Sequence, residues 1–200
     1  MAAHSQIHAY TEWAKSRLDE MDATVASLEG KVGELSANAR SAAENAISDM
    51  RATRDDFRAR VDQNRELNET AWADLQSKME GDWKAFETEL DKYIKAARDQ
   101  AEQYQTAYQA RAEAQGKAWQ QTIDKLDKAA DQFQADRKAE VKKAITQLKS
   151  EARKAKTKLD RVNEAGNQSW SALSKALKES RASFDKANHK AVEAFKRAAG

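Results

Sequence analysis

The feature that most constrains this chain is one apolar stripe at helical spacing. Between Ala71 and Ala97, the residues Trp72, Leu75, Met79, Trp83, Phe86, Leu90 and Ile94 follow one another at steps of 3, 4, 4, 3, 4 and 4. That spacing sets all seven on one face of an α-helix and does not fit the alternation of a strand. A lone helix with a narrow apolar face gains most of its stability from packing, so the stripe must meet something. Three occupants fit it: a partner helix, an apolar surface, or the interior of its own fold.

The remainder of the chain reads the same way. Its 200 residues include no proline, no cysteine and six glycines, and 34% are charged. Abundant Ala, Lys, Glu, Gln, Arg and Leu favour helix. The β-branched residues and turn formers that strands and hairpins require are scarce. We expect an all-α fold, a single domain over residues 1–200 built of long helices in an elongated antiparallel helical bundle or coiled coil. Five Trp and regular apolar spacing set it apart from disordered chains. No run approaches the roughly 18–20 apolar residues that span a bilayer. The opening "MAAHSQIHAYTEWAKSRLDE" lacks a basic region followed by an apolar one, so no signal peptide is expected and the cytoplasm is the default.

The period of the stripe changes along the chain. Leu18, Met21, Val25, Leu28, Val32, Leu35, Ala39, Ala42 and Ala46 alternate steps of 3 and 4, close to a heptad repeat. From Trp72 to Leu126 the steps run 3, 4, 4, an 11-residue pattern suited to nearly straight helices. Gln115 and Arg137 interrupt it. Breaks are expected at "NRELNETAW", with Asn64, Asn68 and Thr70, and at "VNEAGNQSWSAL", where Gly166 ends a helix and Asn167 or Ser169 caps the next. A weaker break falls at Gly116. The stretch "EGKVGELSANARSAAE" looks soft, but the heptad phase runs through it, so it is assigned to helix. The expected helices span about 5–62, 70–114, 118–164 and 168–198, the first some 85 Å long. Trp13, Trp72, Trp119 and Trp170 recur at intervals of 59, 47 and 51, hinting at a degenerate unit of about 50 residues.

Charge is distributed unevenly. Residues 1–116 carry 15 Lys+Arg against 22 Asp+Glu, and residues 117–200 carry 20 against 11. The two halves either attract each other, or the basic half meets an anionic partner. Its densest part holds Lys138, Lys142, Lys143, Lys149, Arg153, Lys154, Lys156, Lys158 and Arg161. A basic amphipathic helix suits an anionic membrane or phosphates. This one has no aromatic residue to stack a base, which argues against nucleic acid. We read it as a solvated flank facing the acids of residues 1–116.

Catalytic patterns are missing. There is no Glu-x-x-His pair, glycine-rich phosphate loop, nucleophile elbow or zinc-type spacing. A non-catalytic protein without cofactor is expected. His4, His8 and Glu12 sit at steps of four and would share one face of a helical N-terminus, a spacing that can chelate Zn²⁺, Ni²⁺ or Cu²⁺. Incidental histidines on a fraying end are the reading adopted.

The 11-residue stripe, the missing cysteine and the Ala/Lys/Glu/Gln richness over about residues 72–195 resemble exchangeable apolipoproteins, late-embryogenesis-abundant proteins and bacterial phasins. Apolipoprotein repeats are typically punctuated by proline, and late-embryogenesis proteins tend to lack Trp, so the phasins are the nearest likeness. That resemblance implies a non-catalytic helical protein that oligomerises and coats an apolar surface. The functional expectation is a structural or interaction protein, a homo-oligomer joined through its apolar seams, to which Trp119, Leu126 and Trp170 also belong. The alternative is an amphipathic coat on lipid or polymer granules or membranes.

Overall fold

A computed structural model describes residues 9–63, 69–97, 100–165 and 169–199. They form six helices and one short 3-10 turn: α1 Ala9–Glu29, the turn Val32–Glu34, α2 Ala37–Gln63, α3 Glu69–Ala96, α4 Ala101–Ala130, α5 Ala135–Glu164 and α6 Trp170–Ala199. No strand occurs among the described residues, and the fold is an all-α helical bundle.

The α2–α3 and α5–α6 breaks and the last helix fall as expected, but the rest of the chain breaks into more and shorter helices. The segment assigned to one helix over 5–62 is two, α1 and α2, turned back on each other at residues 30–36. Gly30 and Gly33 weaken helix there, and Leu35 is extended at φ −75°, ψ 152° and buried. The Arg40 guanidinium fastens the turn by donating to the carbonyls of Gly33 (2.6 Å) and Leu35 (3.1 Å). Conversely, Gly116 interrupts nothing, because α4 runs straight through it. The helices on either side of α4 are separated at residues 97–100 and 131–134 instead. With 21 to 30 residues each, they are about 32–45 Å long.

The helices assemble as two three-helix units. In the first, α1, α2 and α3 enclose Met21, Leu28, Met50, Phe57, Met79 and Phe86. In the second, α4, α5 and α6 enclose Trp119, Leu126, Ile145, Leu148, Leu173 and Phe184. These cores correspond. A gapless shift of 98 positions, the distance from Trp72 to Trp170, pairs Leu28 with Leu126, Ile47 with Ile145, Met50 with Leu148, Leu75 with Leu173 and Phe86 with Phe184. The same shift carries the start of α2, Ala37, onto that of α5, Ala135. The chain is thus built as two like three-helix units in tandem, each twice the length of the unit the Trp intervals hinted at. Those intervals misled because Trp13 corresponds to Arg111, and Trp119 to Met21.

The two units join chiefly through α1 and α4, which are each other's counterparts. They lie antiparallel, with Glu12 against Lys125, Lys15 against Gln121 and Glu20 against Gln115. Each unit therefore presents the same helix to the other, as in an isologous dimer contact.

Candidate functional site

Every member of the α3 stripe except Trp83 is buried in the first unit: Trp72, Leu75, Met79, Phe86, Leu90 and Ile94. Trp119 and Leu126 are buried in the second, and Trp170 is half-buried between the two cores. The occupant of the stripe is the chain's own interior. Within one chain, helices of the two units already fill these seams.

Trp83 stands apart because it borders a buried charged cluster at the junction. Its ring stacks on Phe86 at 6.0 Å, and the guanidiniums of Arg181, Arg111 and Arg17 lie 4.5, 5.5 and 5.8 Å from its centre. Glu20, on α1, is 0% exposed. Its carboxylate accepts from Arg111 Nε of α4 (2.7 Å), from Arg181 Nη2 (2.5 Å) and Nε (3.1 Å) of α6, and from Gln115 Nε2 (3.2 Å). Arg111 also pairs with Glu87 of α3, and Arg17 reaches Asp185 of α6 at 2.6 Å. Three guanidiniums thus meet three carboxylates from four helices.

Burial pushes the Glu20 carboxyl up, but Arg181 and Arg111 outweigh it and bring it down to about 2. Burial pushes the Arg17 guanidinium down despite Asp185, whereas Glu87 and Glu20 overcome burial and raise Arg111. These charges are matched among themselves and fix the register of α1 against α4, α3 and α6. Sequence reasoning passed over Glu20, Arg111 and Arg181. The available signal was Gln115, a polar residue on an apolar stripe, which here also donates to the Leu177 carbonyl (3.3 Å).

Of the metal-ligand pattern, His4 and His8 lie outside the described residues. Glu12 points into the junction, buried, and accepts from Thr122 Oγ1 at 3.1 Å and from Lys125. No group of three metal-ligating side chains occurs among the described residues.

The basic segment lies on α5, and its ion pairs differ from expectation. Lys142 and Lys149 pair with Asp127, Lys138 with Asp131, Lys154 with Glu151, Lys156 with Asp160 and Lys158 with Glu179. All these acids lie on α4, α5, α6 or the α4–α5 connection. Among the described residues, no acid of residues 1–116 pairs with this segment, because α5 packs on α4 and α6. Lys143, Arg153 and Arg161 are exposed.

No protein-family model, no curated protein and no solved structure matches the chain. What the fold and the junction define is a class of architecture, a tandem pair of three-helix units closed by a buried charged network.

Proposed function

We propose that this is a non-catalytic structural and interaction protein, a two-unit helical bundle that meets partners through its charged helix faces. The observation that carries this reading is the burial of the α3 stripe, Trp83 apart, and of its continuation in α4 inside one chain, which leaves charged and small residues outside. The buried ionisable groups support it too, since they neutralise one another in the packing of four helices instead of facing a cleft. A phasin-like coat would require these seams to open onto the surface it covers.

The free protein distinguishes the two. Phe86→Ala removes a fully buried ring and is expected to cost about 2–5 kcal/mol in denaturant unfolding. Lys84→Ala, at an exposed site on the same helix, should stay within about 0.5 kcal/mol. Circular dichroism and Trp emission should be unchanged by lipid vesicles. If Phe86→Ala and Lys84→Ala melt alike while vesicles shift Trp emission and raise helicity, the coat replaces the bundle as the working state.

A further inference from the structure

The two like units supply an internal control for surface charge. On the outer face of the α2–α3 hairpin stand Asn45, Asp49, Asp56, Thr88, Glu89 and Lys92. There Lys92 is answered by Glu89 at 2.8 Å and lies in the field of Asp49. At the corresponding positions of the α5–α6 hairpin stand Lys143, Gln147, Lys154, Lys186, Ala187 and Lys190. The corresponding lysine, Lys190, has neither of those acids beside it, and three further lysines stand around it.

Two adjoining concavities of about 530 and 510 Å³ run between α5 and α6 and share Gln147 and Lys190. Lysines stand on both walls: Lys143 and Lys154 on α5, Lys186 and Lys190 on α6, all exposed. Lys143, Lys186 and Lys190 have no carboxylate within ion-pair distance among the described residues. The carboxylates of this face are already engaged, Glu140 by Arg197, Glu151 by Lys154 and Glu193 by Lys196. The floor is small and polar, with Ser150, Ser183 and Ala187.

Building on the reading that charged faces are the interaction surfaces, we propose that the α5–α6 groove binds the phosphodiester backbone of a nucleic-acid duplex, without reading its sequence. Lysines along both rims suit a ridge of regularly spaced phosphates, one backbone of a duplex lying along the groove, better than a flat plane of lipid headgroups, which cannot follow the concavity. No large apolar side chain lines the groove to enter a bilayer, and it has no Phe, Tyr or Trp to stack an unpaired base, His189 being its one ring. The expectation from α5 alone went against nucleic acid for want of a stacking aromatic, but a duplex needs none, and the second wall, from α6, becomes visible only in the fold. Affinity would come from counterion release and fall steeply with salt.

The test uses the full chain and a labelled duplex of mixed sequence, followed by fluorescence anisotropy at several salt concentrations. Substituting Lys143→Gln, Lys186→Gln and Lys190→Gln together is expected to weaken binding at least about tenfold. It should also flatten the salt slope by about 0.9 for each phosphate that is no longer neutralised. Lys78→Gln, Lys84→Gln and Lys95→Gln together remove as many exposed charges from α3 and should leave affinity within about twofold. Placing Asn45→Lys, Asp49→Gln, Thr88→Lys and Glu89→Ala on the α2–α3 face, which also frees Lys92, should add a second duplex site per chain. The inference is overturned if the groove variant binds like the parent, or if the α3 control is weakened as much. It is also overturned if single strands compete better than duplex. Preferential binding to anionic vesicles, or to a second copy in sedimentation, with the same three lysines required, would equally replace the duplex as occupant. Should the duplex fail to bind while Phe86→Ala still melts as expected, the inference falls and the bundle reading stands.

Discussion

Glu20 is the residue on which both units converge, and its electrostatics make a pH prediction. Its carboxyl ionises at about 2 in the folded chain against an ordinary 4.5, although burial alone would have raised it. A depressed folded value means stability that is fully present above the unfolded value and is lost as pH falls from about 4.5 through 2. The size is on the order of 3 kcal/mol. Asp127, Asp131, Glu179 and Glu193 are also held low, by lysines paired with them at the surface, and they contribute in the same direction. High salt screens those surface pairs much more than it screens a fully buried one, so acid unfolding in high salt isolates Glu20. In urea titrations under those conditions, the parent should lose stability between pH 5 and pH 3, and Glu20→Gln should be much flatter. At pH 7 the same substitution leaves Arg111 and Arg181 short of their counter-charge, and about 3–5 kcal/mol should be lost. Parallel acid profiles for parent and variant would transfer the sensitivity to other carboxylates.

The helices were legible in the sequence to the extent that their turns left a mark on the stripe. Trp72 to Ile94 reads as α3 because one face is continuous and its apolar residues are all large. The α1–α2 turn was hidden by arithmetic: residues 30–36 make seven positions, one heptad, so the phase resumes unchanged after the chain has reversed direction. The α4–α5 turn carries neither Gly nor Pro. Its trace was the gap in the stripe between Phe133 and Val141, where Arg137 intrudes. Arg137 is polar there because its guanidinium donates to the Ala198 carbonyl (2.8 Å) and satisfies the end of α6. Phe133 stays apolar because it meets Phe195 edge-on at 5.7 Å. Gly116 looked like punctuation and is not. A methyl group built there, or at Gly81 in α3, meets nothing within 4 Å, and both lie inside helices. Gly81→Ala and Gly116→Ala should therefore each stabilise the chain by about 0.5–1 kcal/mol, chiefly by restricting the unfolded backbone. Thermal melts of the single and double variants check this, and a drop at Gly116 would show that α4 needs its flexibility.

At the scale of the molecule the likeness of the two units was unreadable beforehand, because most paired positions differ in identity and agree only in burial. Glu20 and Ala118 correspond, as do Trp83 and Arg181, so the junction is where the units have diverged most in chemistry. That divergence gives the network no counterpart elsewhere among the described residues: it takes Arg17 and Glu20 from α1, Glu87 from α3, Arg111 from α4, and Arg181 and Asp185 from α6. Each core alone is a small three-helix bundle of fewer than 100 residues, a size that folds with little stability to spare. Coupling across the junction is then what lets both melt together. The parent is expected to unfold in a single calorimetric transition whose calorimetric and van't Hoff enthalpies agree. Glu20→Ala removes the carboxylate shared by both units while leaving each apolar core untouched. It should split the transition in two, with the less stable unit melting first. Lys84→Ala, exposed on α3 and outside the network, should leave the single transition intact. Two transitions in the parent itself would mean that the α1–α4 contact holds the units together without making them one cooperative fold.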